Sequence, residues 1–376
     1  MKIAIDARMY NQSGIGRYIR NLIFCLQRLD EKNQYFILLK KEDFDSVNFN
    51  KNFQKVLADF SWYGLTEQVR LPRLLKSLKL DLVHFPHFNV PIFYQGKFIV
   101  TIHDLIHQNF KMERATTHSK IIYKLKHFGY NTVFSFAIKK SKYILSPSNF
   151  VKNSLIDKWH VKDEKITITP EAVDDKIVTA AAKMSTKMSQ EILSDLKMEK
   201  PYIFYLGNAH PHKNVESLIG VFLNLRKKYS QLRLVLSGND HYFWRKIQQE
   251  AIRRGSDEYI RFTGYITDEQ AVALYQNAVM FVMPSFEEGF GIPLLEAFVC
   301  ECPVVSSNAG SLSEIGKDAA IYFDPKNKQD MFEKIEQVLT SEKLRQELIK
   351  KGLERIKLFS WETLTEQTLE VYKKCK

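Results

Sequence analysis

Short apolar runs alternate with amphipathic stretches along the whole chain. Because a strand that is buried on both faces reads as a continuous apolar run, each such run predicts a strand of a parallel sheet. The predicted strands are residues 2–6, 35–39, 82–85, 98–102, 143–145 and 166–169 in the first half, and residues 202–206, 232–236, 259–262, 281–283, 304–306 and 321–323 in the second half.

Helical stretches lie between these strands, for example at residues 17–29, 215–229 and 269–277. This alternation predicts an α/β protein with doubly wound parallel sheets.

The pattern is interrupted at residues 176–200, where scattered Met, Ser, Thr and Lys replace any buried strand. We therefore expect two domains, residues 1–175 and 201–360, joined by this connection. Ser360 is a predicted N-cap, and the helix at residues 361–376 is expected to pack back on the first domain.

Length and composition agree with two packed domains. The chain has 376 residues, of which 45% are hydrophobic, and no apolar run approaches the ~20 residues that span a bilayer. The N-terminus is typical of a strand and not of a signal peptide. The four cysteines, Cys25, Cys300, Cys302 and Cys375, are spaced neither as a metal site nor as a disulfide framework. We expect a reduced, cytoplasmic protein.

Positive charge is concentrated in the first half. Residues 1–175 hold 27 Lys and Arg against 17 Asp and Glu, whereas the remainder holds 28 against 26. The steepest stretch is residues 111–142, where Lys120, Lys124 and Lys126 alternate with aromatic and aliphatic residues. This stretch fits an anionic membrane surface, although a core helix with a solvated basic face gives the same pattern. No nucleic-acid-binding motif is visible, and we expect no nucleic-acid partner.

The most informative motif follows an apolar strand in the second half. Glu288 and Glu296 bracket a glycine-containing turn that opens a helix. Ligands of open parallel sheets bind beyond the carboxyl ends of the strands, and the N–H groups of Phe290, Gly291 and Ile292 would favour an anionic phosphate. The two carboxylates would then hold a sugar and a ribose on either side of a diphosphate. An ordinary helix cap with a solvated second glutamate is the alternative.

Two strand ends of the first half carry weaker signals. Gly14 and Gly16 follow the first strand and let the backbone approach a ligand closely, although a tight turn also explains them. His103 and Asp104 follow the strand at residues 98–102. A histidine there can hydrogen-bond a sugar hydroxyl or place its backbone carbonyl near the anomeric carbon, and a purely structural histidine is the alternative.

The second half has further polar loops at strand ends. Asn208 follows one strand, and His212 and Lys213 precede the next helix, where an ammonium group can reach a diphosphate. Ser237 and Gly238 end a second strand, Tyr265 follows a third, and the loop with Glu288 follows a fourth. One such loop would be unremarkable, but four at the same sheet edge indicate a ligand site.

Together these motifs resemble the retaining glycosyltransferases of family 4, which have the GT-B fold of two Rossmann-like domains facing across a cleft. The resemblance covers nearly the whole chain. Within the family it is closest to bacterial mannosyltransferases that use GDP-mannose and build surface polysaccharides. Its most specific parts are residues 288–296, 207–208, 211–214, 14–18, 101–105 and 146–150.

The resemblance implies three roles around the sugar. Glu288 would contact the hydroxyls of the transferred sugar, and Glu296 would hold the ribose. His103 would face the sugar from the first domain. The acceptor, an oligosaccharide or a lipid-linked saccharide of O-antigen, capsule or lipopolysaccharide, would meet the first domain.

The resemblance also implies how the nucleoside diphosphate is held. The N–H groups of residues 290–292 and the ammonium of Lys213 would bind the diphosphate, and Tyr265 would flank the base. Many members have an arginine where this chain has Asn208, so His212 or Lys213 must carry more of the phosphate charge.

No Asp-x-Asp pair stands at a strand end, so we expect transfer without metal or cofactor, with Lys213 and the helix start stabilising the leaving diphosphate. Same-face attack and a covalent intermediate both remain open. Three other functions are also open, namely transfer from UDP-glucose or another donor, a sugar-nucleotide epimerase, and a silent membrane-associated scaffold. The enzyme is expected at the inner face of the cell membrane, and its oligomeric state is open.

Overall fold

The structure is a computed structural model that describes residues 1–109, 120–239, 242–253 and 255–376. The chain forms two compact units. The first comprises Met1–Glu171 and Ser360–Lys376, and the second comprises Ala172–Phe359.

The described residues of the first unit form one parallel sheet of seven strands in the order β3-β2-β1-β4-β5-β6-β7. The central strand β1 is buried through Ile3, Ala4 and Ile5, because helices cover both faces. The chain runs outward from β1 in one direction and restarts at β4 in the other, so the topological switch point lies between β1 and β4. The strands are β1 Lys2–Asp6, β2 Gln34–Leu39, β3 Phe53–Leu57, β4 Leu82–Phe85, β5 Phe98–Thr101, β6 Ile144–Ser146 and β7 Ile166–Ile168.

The last helix of the chain packs within the first unit. Ser360 Oγ accepts from the N–H groups of Glu362 and Thr363, which caps the helix as the sequence predicts. The Trp361 ring meets Tyr18 edge-on, with centroids 6.1 Å apart. The helices of this unit are α1 Ser13–Leu29, α2 Lys41–Phe44, α3 Leu65–Ser77, α4 Ile106–Asn109, α5 Lys120–Lys140, α6 Asn149–Trp159 and α16 Trp361–Lys374.

The second unit repeats this plan with a parallel sheet of six described strands in the order β10-β9-β8-β11-β12-β13. Its switch point lies between β8 and β11. Buried apolar residues form one cluster on each side of the sheet. The strands are β8 Tyr202–Leu206, β9 Arg233–Ser237, β10 Ile260–Gly264, β11 Met280–Met283, β12 Val304–Ser307 and β13 Ala320–Phe323.

Nine helices of the second unit lie within the described residues, and several begin at side-chain caps. For example, Thr267 and Gln270 form a capping box at α11. The helices are α7 Asp175–Lys183, α8 Thr186–Asp195, α9 Val215–Lys228, α10 Tyr242–Arg253, α11 Asp268–Asn277, α12 Ile292–Val299, α13 Leu312–Gly316, α14 Lys328–Thr340 and α15 Glu342–Ile356.

The predicted class of two parallel α/β sheets is confirmed, but two boundaries differ from the prediction. Residues 176–200 were expected to be a connection, yet α7 and α8 pack against α11 within the second unit. Ile177 of α7 and Leu193 of α8 are buried in its core, because each helix turns one apolar face inward. The change of unit therefore falls at Glu171 and Ala172.

One strand and one helix start were also missed. Strand β3 has the burial pattern of an edge strand, with Phe53 and Val56 buried between exposed positions, so it lacks a continuous apolar run. Helix α1 begins at Ser13, four residues before the predicted start, because Gly14 and Gly16 lie inside its first turn.

Candidate functional site

The strongest candidate site lies at the switch point of the second sheet, beyond the carboxyl ends of β8 and β11. Lys213 ends a short 3-10 turn after β8, and Glu288 stands in the loop after β11. Lys213 Nζ donates to Glu288 Oε1 at 2.7 Å and to Oε2 at 2.9 Å. Their side chains are 16% and 9% exposed. The structure thus brings two predicted catalytic residues into direct contact.

The carboxylate of Glu288 has a second donor. Ser285 Oγ lies 2.5 Å from Glu288 Oε1. Because one face of the carboxylate is held by Ser285, its orientation does not depend on Lys213 alone.

Main-chain and amide hydrogen bonds tie the loops of this edge together. Asn214 adopts a left-handed conformation, with φ 56°, and its Nδ2 donates to the carbonyls of Pro284 and Pro325 at 3.1 Å. The N–H of Phe286 donates to the carbonyl of His212 at 2.7 Å. His212 belongs to the same turn as Lys213 and is buried. Hydrogen bonds therefore join the turn that carries Lys213 to the segments after β11 and β13.

Two glycines shape the loop around Glu288. Gly310 has φ +65°, and a Cβ there would lie 2.5 Å from the Glu288 carbonyl oxygen and 2.6 Å from its nitrogen. Ser311 Oγ donates to the carbonyls of Glu288 at 3.1 Å and Phe290 at 2.8 Å. Gly291, with φ +107°, precedes helix α12. Gly310 and Ser311 were not among the predicted residues, although a glycine beside a serine shortly after β12 was a usable signal.

The other predicted groups of this loop lie just before helix α12 or on it. Phe290 and Gly291 lead into it, and Ile292 is its first residue, so these N–H groups belong to the helix start where anions bind. Glu296 is buried one turn further on and accepts from Tyr275 OH at 3.3 Å. Burial raises the pKa of Tyr275, and the charge of Glu296 raises it further.

Two predicted residues of this unit have mainly local contacts. Asn208 Oδ1 accepts from the N–H of His210 at 3.2 Å, and its carbonyl accepts from Tyr205 OH at 2.6 Å. Tyr265 is 74% exposed after the strand β10. Within the described residues, no hydrogen bond or ring contact joins Tyr265 to the Lys213–Glu288 pair.

In the first unit, His103 is held at both ring nitrogens by oxygen atoms. Nδ1 lies 2.7 Å from Glu171 Oε1, and Nε2 lies 2.8 Å from the Pro86 carbonyl. Burial lowers the pKa of His103, but the hydrogen bond and charge of Glu171 outweigh this and raise it. Both ring nitrogens are therefore occupied by oxygen atoms of the protein. Only its backbone carbonyl remains for the sugar role that the sequence predicts.

Asp104 and the two early glycines have local structural contacts. Asp104 Oδ1 accepts from the N–H of Ile106, the first residue of helix α4, at 3.0 Å. Gly16 is required by a close approach, since a Cβ there would lie 2.4 Å from the Tyr10 carbonyl oxygen. Gly14 has open space around it. The substrate roles of Asp104, Gly14 and Gly16 stay predictions.

The pKa of His84 is shifted in the opposite direction from that of His103. Its Nδ1 pairs with Tyr372 OH at 2.7 Å and its Nε2 with Thr101 Oγ1 at 2.9 Å. Full burial, with the charge of His103 nearby, lowers the pKa of His84 to about 3. This neutral histidine fastens α16 to the first sheet.

The predicted basic membrane surface lies partly outside the described residues. Residues 110–119 are not described, and the same holds for the side chains of Lys120, Lys124 and Lys126. Further along α5, Phe128 is 73% exposed and Lys139 and Lys140 are exposed. Among the described residues, no helix is long and apolar enough to cross a membrane.

Comparison with known proteins gives matches along the whole chain. The family described as "Glycosyltransferase Family 4" matches residues 12–176, and "Glycosyl transferases group 1" matches residues 189–355. "O-antigen chain mannosyltransferase B" of Escherichia coli is 30% identical over 321 residues, which are 83% of this chain and 79% of that protein. "O-antigen chain mannosyltransferase RfbU" of Salmonella typhimurium is 24% identical over 287 residues, which are 75% of this chain and 72% of that protein.

A solved structure shares the fold. The crystal structure of Anabaena Alr3699/HepE in complex with UDP-glucose matches with a TM-score of 0.75 at 14% identity and covers 100% of both chains. At this identity the match establishes the fold alone, and it agrees with the two parallel sheets seen here.

Proposed function

Because the chain belongs to the group 1, family 4 glycosyltransferases and has their GT-B fold, we propose that it transfers mannose from GDP-mannose with retention of anomeric configuration. The proposed acceptor is an oligosaccharide or lipid-linked saccharide of a bacterial surface polysaccharide such as O-antigen. The names of the Escherichia coli and Salmonella relatives support the sugar and the polymer.

The Lys213–Glu288 pair is the observation that carries the proposal. It stands at the switch point of the second sheet, beside the start of α12. An incoming diphosphate competes with Glu288 for the Lys213 ammonium, and the released carboxylate can then accept from the hydroxyls of the sugar. This exchange places a positive group on the phosphate and a negative group on the sugar within one short loop region.

In the proposed reaction, the bond between the anomeric carbon and the diphosphate oxygen breaks, and the leaving diphosphate takes the electron pair. Lys213 and the N–H groups at the start of α12 stabilise that growing charge. The acceptor oxygen bonds to the anomeric carbon on the same face. Its proton passes to the departing phosphate.

We further propose that transfer needs no metal ion and that the basic part of α5 touches an anionic membrane. The exposed Phe128, Lys139 and Lys140 support the membrane contact. Transfer from UDP-glucose is the second candidate, because the matching HepE structure contains UDP-glucose.

A panel of sugar nucleotides tests the proposal. Each is incubated with the protein and a short mannoside acceptor in chelator, and the released nucleoside diphosphate and the anomeric configuration of the product are measured. GDP-mannose is expected to be the preferred donor and to give a retained product. Preference for another donor, inversion, or recovery only with magnesium or manganese would each refute the corresponding part.

A further inference from the structure

An exposed apolar patch surrounds the start of helix α3 in the first unit. Leu65 is the first residue of the helix and is 88% exposed, and Val69 follows it one turn later, also exposed. Tyr63 precedes the helix and is exposed, and Phe93, in the loop after β4, is 61% exposed. The N–H of Ile92 donates to the side chain of a second-turn residue of α3 at 2.7 Å, so this loop lies directly beside the helix. Four large apolar side chains therefore face solvent in one small region.

The exposed side of α3 is cationic beyond this patch. Because successive residues of a helix are rotated by about 100°, the exposed positions of α3 share one side of it. Three of these positions are the cations Arg70, Arg73 and Lys76. Residues 61–80 contain a single acidic residue, Glu67, which is buried, and the loop after β4 contains none. An anionic partner would therefore meet no exposed carboxylate in these segments.

A buried ionic cluster ties the first turn of α3 to the switch point of the first sheet. Glu67 Oε1 accepts from Arg8 Nη2 at 2.6 Å and from Asn89 Nδ2 at 2.7 Å. Arg8 Nε and Nη2 also donate to the two oxygens of Asp6, the last residue of β1, at 2.7 and 2.6 Å. The N–H of Tyr63 donates to Glu67 Oε2 at 2.8 Å. The apolar patch is thus held at the carboxyl edge of the sheet, where parallel sheets bind ligands.

An anionic bilayer is the class of partner that uses every part of this surface. Leucine and aromatic side chains suit the boundary between headgroups and acyl chains, and cations suit the lipid phosphates. A nucleic acid would use the cations and leave the apolar side chains in water. Two copies of this chain, paired about a two-fold axis, would bring the same cations near one another. The charge therefore favours an anionic leaflet over both.

We propose that this side of α3 docks on an anionic phospholipid leaflet. Leu65 and Phe93 insert among the headgroups, and the three cations bind lipid phosphates. The surface, called the α3 face, consists of Tyr63, Leu65, Val69, Arg70, Arg73, Lys76 and Phe93.

Docking through the α3 face would present a lipid-linked saccharide to the carboxyl edge of the first sheet. This consequence rests on the proposed function, which takes such a saccharide as an acceptor, whereas the docking itself does not. The α3 face is separate from Lys139 and Lys140, which end α5 and lead into the start of β6 at the opposite edge of the sheet. The two surfaces can therefore be tested one at a time.

Vesicle flotation of the full chain tests the inference. Partition coefficients are measured with vesicles of phosphatidylcholine alone and of phosphatidylcholine with phosphatidylglycerol, and the folding of every variant is checked by Tm. Leu65→Gln with Phe93→Gln removes the apolar anchors. Leu358→Gln with Ile252→Gln, which replaces two exposed apolar residues of the second unit, is the matched control.

The apolar double variant should partition into the anionic vesicles about tenfold less than the wild type, at low and at high salt. Arg70→Gln with Arg73→Gln should lose about tenfold at low salt and little at high salt, because ions screen only the contribution of charge. The matched control should partition like the wild type. Brominated acyl chains should quench the added tryptophan of Leu65→Trp and leave that of Leu358→Trp unquenched.

Equal partitioning of the wild type and the apolar variant, equal quenching of the two tryptophans, or no partitioning of the wild type would overturn the inference. Loss of binding in Lys139→Gln with Lys140→Gln, but not in the α3 variants, would overturn it in favour of α5. Self-association that the apolar variant abolishes in sedimentation velocity would overturn it in favour of a second copy of this chain. The vesicles contain neither donor nor saccharide, so the flotation result and the donor panel can fail independently.

Discussion

The two sheets have switch points of the same topology but carry different charges there. In the second unit, Lys213 faces a single carboxylate, and both side chains retain some exposure, 16% and 9%. In the first unit, Arg8 lies between Asp6 and Glu67 with side-chain exposures of 1%, 10% and 0%. At one edge a cation pairs with a single carboxylate, and at the other a buried guanidinium lies between two.

The difference shows that one topology can carry two different charge distributions at the same sheet edge. Parallel topology places loops at the same edge in both units, so the place of binding is shared. The ratio of cationic to anionic groups then sets the ligand. A lysine beside a helix start is open to an anion, whereas a guanidinium matched by two carboxyl groups leaves no net positive charge for one.

The largest effect is expected from Lys213→Ala. Lys213 acts on charge that grows on the leaving diphosphate, so its removal should lower kcat by about 10²–10³-fold. The control is Lys228→Ala, which removes an equally short lysine–glutamate pair, 2.8 Å to Glu336, on the surface of the same unit. Steady-state kinetics at saturating donor measure both. Turnover of Lys213→Ala at the wild-type rate would show that Lys213 does not stabilise the leaving diphosphate.

Glu288→Gln and Glu296→Gln should have different kinetic effects. Each variant keeps its shape and loses a charge-assisted hydrogen bond worth about 1.5–3 kcal/mol. Glu288 is assigned to the transferred sugar, so its variant should lower kcat. Glu296 is assigned to the ribose, so its variant should mainly raise the KM for donor. The same change in both parameters for the two variants would argue against this division of roles.

The substitution Gly310→Ala should weaken the second edge through its backbone. The new methyl group would lie 2.5 Å from the Glu288 carbonyl oxygen at a positive φ, which should cost roughly 1–3 kcal/mol of stability. Gly220→Ala in α9 is the control, because its Cβ would meet no atom within 4 Å; it should be neutral or slightly stabilising. Urea unfolding compares them, and equal midpoints would show that the loop tolerates the methyl group.

The His103–Glu171 pair should make the first unit sensitive to pH. The folded-state pKa of His103 is raised, so its stabilisation is complete below the unfolded value of about 6.5 and is lost as pH rises through the folded pKa. Besides Glu171, the groups facing His103 are Asp104, His84, Tyr18 and the Pro86 carbonyl.

NMR titration of the His103 ring measures this effect. Its pKa should lie above the ordinary value in the wild type and fall in Glu171→Gln, while the exposed control Glu164→Gln leaves it unchanged. The stability difference between wild type and Glu171→Gln should be larger near pH 6 than above the folded pKa. An unchanged titration in Glu171→Gln would contradict the assigned contact.

The smallest effect is expected at the membrane. Exposed lysines near an anionic leaflet contribute about 1 kcal/mol each, and salt screens this contribution. Lys139→Gln with Lys140→Gln should weaken sedimentation with anionic vesicles, as should replacement of Lys120, Lys124 and Lys126. Lys343→Gln with Lys350→Gln, in the second unit, makes an equal charge change as control. Equal partitioning to neutral vesicles, or none to either kind, would leave α5 with only a solvated basic face.

Apolar runs predicted the sheets well because parallel strands are buried on both sides, as β1 and β8 are. They failed at β3, whose edge position exposes alternate residues. The glycines at positions 14 and 16 suggested a loop, although tertiary packing extends α1 through them. Local composition therefore predicted which helices and strands exist more reliably than it predicted where each one begins and ends.

The contacts between the predicted residues were harder to predict than the motifs that contain them. Lys213 and Glu288 were each predicted from a strand-end motif, but their contact joins positions 75 residues apart. Arg8, Glu67 and Asn89 come from three segments and have no shared motif, so their cluster was not predicted. Likewise, nothing local to His103 indicates Glu171, which lies 68 residues away. Such contacts depend on strand order, which the pattern along the chain does not contain.

The central claim is that Lys213 leaves Glu288 to bind the diphosphate of the donor. Calorimetric titration of the wild type and Lys213→Ala with GDP and with GMP tests it most directly, because the two ligands differ by one phosphate. We predict that the wild type binds GDP at least about tenfold more tightly than GMP and that Lys213→Ala loses most of this preference. The same ratio of GDP to GMP affinity in both proteins would contradict the claim.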